Sequence, residues 1–225
     1  FNHLYYSAYS QFLTHILHSE KVFNMKRLLL ILILALGVQT LTKADDIKDF
    51  QIEGMSIGDN LLDYFTKEEL DSFNQSFGSG HNGIEISSDD KSRYNYYPLT
   101  TFQGFQVSYK INNNTFFEIT GMAGAIWFKD DIKGCLKRKE EIKSTIKDSL
   151  GTSVINIDDK NIKKKHWADK SGKSFTYDTT YYLKNEDHIS LDCFDWSKET
   201  DSWDHLRLTV STSEHNDLVN NDYNK

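Results

Sequence analysis

The chain reads as an α+β protein in which two helices pack on an antiparallel β-meander, in the order helix, strands, helix, strands. Three observations predict this. Apolar residues recur at helical spacing in two segments, 61–73 and 132–150. Segments that alternate apolar and polar residues follow each of them. Aromatics make up 13% of the 225 residues while Pro98 is the only proline, a composition that suits an ordered, sheet-rich domain.

The domain is preceded by a different kind of sequence. Met25-Lys26-Arg27 opens a short positive stretch, Leu28–Val38 is an eleven-residue apolar run, and Thr42 and Ala44 occupy the small-residue positions of a cleavage site before Asp45. This is the layout of a secretory signal peptide over residues 25–44. The apolar run is shorter than the roughly 18–20 residues of a permanent membrane anchor, so no stable span is expected after cleavage. Phe1–Asn24 lack methionine and regular periodicity, and are expected to be an upstream segment without a fold of its own. The expected organisation is therefore 1–24 upstream segment, 25–44 signal peptide and 45–225 one α+β domain.

Discounting Lys21, Lys26, Arg27, Lys43 and Glu20 from the 26 basic and 33 acidic residues leaves 22 and 32, a net charge of about −10. Such a field repels nucleic acid, because each phosphate contact needs a Lys or Arg. Cys135 and Cys193 are the two cysteines, and in an oxidising compartment such a pair is expected to form a disulfide. Neither belongs to a C-x-x-C motif of redox or zinc sites. Cys135 falls on the apolar stripe of the second helix, and Cys193 shares parity with Ile189 and Leu191 on its strand, which predicts a bridge from helix to sheet.

Element by element, Gly58-Asp59 provide a break and cap before a first helix carrying Leu61, Leu62, Phe65, Leu70 and Phe73. Phe77–Gly83 reads as a loop and Ile84–Arg93 as polar and irregular. Strands are expected over 102–111 and 115–128, joined by a turn at Asn112-Asn113-Asn114, with Gly121 and Gly124 marking a bulge or close packing against a helix. Asp130 or Asp131 caps the second helix, which ends at Gly151 and buries Ile132, Cys135, Leu136, Ile142, Ile146 and Leu150. Val154–Lys173 reads as a long connection. Strands at 175–184, 187–195 and 203–212 close the chain, with a tight turn at Asn185-Glu186.

Few residues suggest chemistry. Asp169-Lys-Ser-Gly-Lys-Ser174 superficially suggests a phosphate loop, but Trp167 stands where the first glycine is required and a strand, not a helix, follows. The densest titratable cluster is Asp195, Asp204 and His205, the candidates for an acid/base site or a His/Asp metal site, although no second His stands at ligand spacing; the competing reading is a surface network in which Asp192 pairs with Arg207 across neighbouring strands. No nucleophile-elbow serine accompanies them, and no cofactor or metal set is evident. The lysine-rich run 160–165 beside His166 and Trp167 is a solvated loop or a contact for an acidic partner or lipid headgroup. Tyr94, Tyr96, Tyr97, Phe102, Tyr109, Phe116 and Phe117 either fill the core or line a cleft for a small apolar ligand.

The doubled helix-plus-strands order resembles the tandem units of small periplasmic assembly and inhibitor proteins of the BamE and beta-lactamase-inhibitor type, a likeness of fold only. Three segments carry a second resemblance: Asp49-Phe-Gln-Ile-Glu-Gly-Met-Ser-Ile-Gly-Asp59, His166-Trp-Ala-Asp-Lys-Ser-Gly-Lys-Ser174, and Cys193-Phe-Asp-Trp-Ser-Lys198 with Asp204-His-Leu-Arg207. With them the chain resembles small exported proteins of unknown function from marine alphaproteobacteria. That resemblance implies export and one domain, and carries no catalytic residue. The expected function is a non-catalytic envelope domain, periplasmic or secreted, that binds an envelope protein or a small ligand. The alternative is a periplasmic hydrolase using Asp195, Asp204 and His205.

Overall fold

The computed structural model describes residues 46–73, 75–76, 82–88, 97–113, 115–150, 152–159 and 163–217. The expected leader and upstream segment lie outside them, as do Tyr94, Tyr96, Asn114, Gly151 and residues 160–162.

After a 3-10 turn at Ile47–Asp49 capped by Asp46, a tight hairpin pairs β1 (Gln51–Ile52) with β2 (Met55–Ser56). Glu53 and Gly54 both have positive φ, 53° and 85°, the backbone that a two-residue hairpin turn demands. The Glu53 carboxylate then accepts from the Thr100, Thr101 and Phe102 amides at 2.7–2.8 Å, and so fixes the approach of Phe102 to the sheet.

The expected first helix is interrupted. Asn60 caps a single 3-10 turn, Leu61–Asp63, and the regular helix α1 runs only over Lys67–Phe73. The restart has a local cause. The Glu69 amide donates to Thr66 Oγ1 (3.2 Å) and the Thr66 amide donates to Glu69 Oε2 (2.7 Å), a reciprocal capping box. Leu61, Phe65 and Leu70 still reach the core, from two short segments.

The irregular stretch expected after residue 84 is instead β4 (Asn82–Ser87), flanked by the short β3 (Gln75–Ser76). Ile84 and Ile86 are fully buried, with Glu85 between them on the other face. Next come β5 (Gly104–Asn112) and the fourteen-residue β6 (Phe116–Lys129), within two residues of expectation; Asn113 turns between them at φ 60°. Gly124 exists for close packing against a loop ring rather than a helix: a Cβ there would stand 2.5–2.7 Å from Phe102 ring atoms. Gly124→Ala must displace that ring, and is expected to cost about 1–3 kcal/mol in urea unfolding; an unchanged midpoint would show that Phe102 moves freely.

Asp131 accepts from the Gly134 amide at the start of α2 (Ile132–Leu150). The predicted stripe faces the core, with Ile132, Leu136 and Ile142 half-buried and two polar additions: Ser149 is buried, and Lys139 is fully buried with its Nζ donating to the Tyr177 carbonyl at 2.5 Å. The expected long connection contains two strands, β7 (Val154–Asp158) and β8 (Lys163–Lys165). They lie beside β10 (Thr180–Leu183) and β9 (Phe175–Tyr177), so the single strand expected at 175–184 is split near Asp178. Beyond the turn at Glu186 (φ 66°) come β11 (His188–Asp195) and β12 (Asp204–Ser211).

Apart from the β1–β2 hairpin, which is a sheet of its own, the described strands form one antiparallel sheet in the order β3-β4-β5-β6-β12-β11-β10-β7, with β8 on β9 and β9 on β11. The architecture is mixed but mostly β, not two full-length helices on a meander. One meander (β3–β6) meets a second (β7–β12) where β6 pairs with β12. Ile84, Val107, Met122, Val210, Ile189 and Tyr181 form one buried row across it. The Cys135–Cys193 disulfide ties α2 to β11 with Cα atoms 6.1 Å apart, both residues fully buried.

Candidate functional site

Alternation along β11 and β12 sends Leu191, Cys193, Leu206 and Leu208 to the helix side. Their neighbours Phe194, His205 and Arg207 therefore face the other way, on the face opposite α1 and α2, whose far end is covered by a short helical turn over residues 213–217 with His215 against Gly121. The register aligns Phe194, His205 and Trp127 on three adjacent strands. Phe194 and His205 stack with centroids 4.5 Å apart, and Trp127 meets His205 edge-on at 5.3 Å. His166 lies 4.3 Å from Trp196 and 5.5 Å from Phe194. Burial lowers the pKa of both histidines, so they enter this stack as neutral rings at pH 7. At its margin Trp167 and Trp203 are 74% and 52% exposed.

The margin is built by two interlocked loops. Asp169 accepts from the amides of Ser171 (2.8 Å), Lys173 (3.2 Å) and Ser174 (2.8 Å), and from both serine hydroxyls. The hydroxyls of Ser174 and Ser171 hold this carboxyl well below the usual range. The segment that suggested a phosphate loop thus wraps the protein's own carboxylate. Ser174 Oγ also accepts from the Ser197 amide (2.9 Å), and Lys173 pairs with Glu199, which joins the 166–174 turn to the 196–203 loop.

The three acid/base candidates are close in the fold but are not linked as a catalytic pair. His205 Nδ1 lies 2.9 Å from the Trp203 carbonyl oxygen. Asp204 is buried, accepts from the Trp196 amide at 2.8 Å, and has its pKa raised by that burial. Asp195 lies 3.5 Å from Lys163 Nζ. Proton transfer between a base and its orienting acid needs a hydrogen bond between them. Here each group is committed to a different partner.

The expected Asp192–Arg207 pair occupies opposite register positions, yet Arg207 Nη2 donates to Gln106 Oε1 at 2.7 Å. Asp192 Oδ2 accepts from Ser190 Oγ (2.9 Å), while Oδ1 is buried without a hydrogen-bond partner among the described residues. Burial first, and the neighbouring Asp178 second, push Asp192 up to about 6. A raised folded-state value means the native state binds more protons than the unfolded chain between the ordinary value of 3.8 and about 6. Stability from this group therefore falls as pH rises through that window. Asp192→Asn is expected to gain on the order of 1–3 kcal/mol at pH 7.5 and nothing at pH 3.5; equal gains at both values would contradict the assignment.

Other expectations resolve simply. Tyr109 and Phe117 stack within the core, and Tyr97 packs against Phe65, so these rings fill space. Phe116 is exposed. From the basic run, Lys163 lies over the Phe175 ring at 3.7 Å and Lys164 pairs with Asp178 at 2.9 Å. No group of three metal-binding side chains converges among the described residues, and no helix there is long and apolar enough to cross a membrane. Trp127 and Phe194 were not among the sequence candidates, although strand alternation carries the signal that separates them from the helix side. Comparison with protein-family models, curated proteins and solved structures finds no match to this chain.

Proposed function

We propose that the chain is a non-catalytic binding domain of the cell envelope that docks another exported protein on the face of its sheet opposite α1 and α2, at the end that carries Trp127 and Phe194. The observation that carries the reading is the composition of that face: Trp127, Phe194, Trp196, His205 and Arg207 stand where a solvated sheet face would carry threonines and lysines. Aromatic residues and arginine are enriched, and charged carboxylates depleted, at the buried centres of protein interfaces. Export is supported by the leader at 25–44 and by the buried disulfide. A protein partner fits better than a small apolar ligand, because Tyr97, Tyr109 and Phe117 of the cleft candidates are packed against other rings. The hydrolase alternative loses support from the separate commitments of Asp195, Asp204 and His205.

The test uses the two most exposed indoles, Trp167 and Trp203. Immobilised wild-type protein is expected to retain a defined protein from envelope extract, and the Trp167→Ala/Trp203→Ala variant to lose it. Identical retention by both would remove the face from consideration.

A further inference from the structure

The far edge of the sheet is guarded along one half and open along the other. Along β8 it carries Lys163, Lys164 and Lys165, the charged side chains that commonly keep sheet edges from pairing. Along β7 it carries Val154-Ile-Asn-Ile-Asp158, with no lysine and no proline. β7 pairs with β10 on one side and ends the strand order on the other. Ile155 and Ile157 are 61% and 41% exposed, and Asn156 between them is exposed as well. β-branched residues presented along a strand edge that no other described strand covers are a template for another strand.

We infer that β7 is a homodimer interface, in which the β7 strands of two copies pair antiparallel about a two-fold axis at Asn156. The argument is self-complementarity. A two-fold interface must match its own patch, and in an antiparallel pair centred on residue 156 each position faces its mirror about that residue. Ile155 then faces Ile157 of the second copy, twice over, and Asn156 faces Asn156, where the two amides can exchange hydrogen bonds. Asp158 falls opposite Val154, so no like charges meet. An axis at Ile155 leaves one apolar pair, setting Val154 against Asn156 and the buried Ser153 against Ile157. An axis at Ile157 sets Ile155 against Asp159, and an axis at Asp158 sets two carboxylates face to face, which is unfavourable for directly opposite cross-strand positions. The self-match favours a second copy over an unrelated extended peptide. The interface is distinct from the aromatic face and does not depend on the function proposed for it.

The register makes the test specific. Directly opposite Cα atoms in an antiparallel pair lie about 4.5–5.5 Å apart, within the span of a disulfide, whereas positions offset from the axis do not meet their own copies. The protein is purified as cells expressing the full chain process it, and its mass is followed by sedimentation equilibrium. The wild type is expected to approach twice the monomer mass as concentration rises, and Ile157→Lys to raise the dimer dissociation constant at least tenfold. Under mild copper-catalysed oxidation, Asn156→Cys is expected to cross-link to itself in high yield, and Ile155→Cys at least fivefold less. A monomer at every concentration without cross-linking overturns the proposal. So does equal cross-linking at 155 and 156, or a wild-type dimer that Ile157→Lys leaves intact.

Discussion

Replacing Cys135 and Cys193 together by alanine is expected to remove about 4 kcal/mol of stability, the largest effect of any pairwise change considered. The bridge spans 58 residues of chain, and closing a loop of that size restricts the unfolded ensemble by about that amount. Against a typical 5–15 kcal/mol for a domain, the loss leaves a marginal fold. The melting temperature should fall by roughly 8–16 °C, at the 2–4 °C per kcal/mol usual for this size. Because both cysteines are fully buried, a mild reductant should leave the native protein unchanged until it begins to unfold. Circular dichroism melts of wild type and variant decide the matter. Midpoints within about 3 °C would mean that helix and sheet hold together without the bridge.

The second large effect concerns Lys139, which carries an ammonium into the layer between α2 and the sheet. Desolvation by burial lowers its pKa, and the carboxylates of Asp192 and Asp159 offset this only in part. The unfolded chain therefore binds more protons than the native state between the lowered value and the ordinary 10.5, and stability rises with pH across that window. Lys139→Met keeps the length of the side chain and removes the charge. It is expected to stabilise by about 1–3 kcal/mol at pH 7, with the gain shrinking as the pH approaches 10.5. Lys139→Ala, which also vacates the space of the aliphatic stem, should fall about 2–4 kcal/mol below the methionine variant. A methionine variant less stable than wild type by 2 kcal/mol would show that the bond to the Tyr177 carbonyl outweighs the desolvation.

What was legible in the chain follows from how local each signal is. The α2 helix, the β5–β6 pair, β11, β12 and the helix-to-sheet bridge rest on strong periodicity and parity, and the structure contains them. The first helix was misread because Leu61, Leu62, Phe65 and Leu70 keep a helical period across a break. The signal for that break, Thr66 with Glu69, is itself local and readable as a capping box. Lys139 sits four residues after Cys135 and seven before Ile146, on the buried stripe, but its charge argued for solvent. β4 was hidden because only Ile84 and Ile86 alternate within a polar stretch. β8 is three lysines with no apolar pattern, and in β7 the alternation is confined to Ile155 and Ile157, which an edge strand leaves exposed. The stack of Trp127, Phe194, Trp196, His166 and His205 depends on the register of β6, β11 and β12 and on two loops folding together, which no single segment encodes.

The most direct measurement of the central claim is site-specific photo-crosslinking in the intact cell envelope. A photoreactive phenylalanine analogue is placed in turn at Trp167, at Trp203 and, on the wet side of α2, at Lys137. The account predicts that positions 167 and 203 trap the same single protein while position 137 does not. Trapping of that protein from position 137 alone, or no adduct from either tryptophan position, would contradict it.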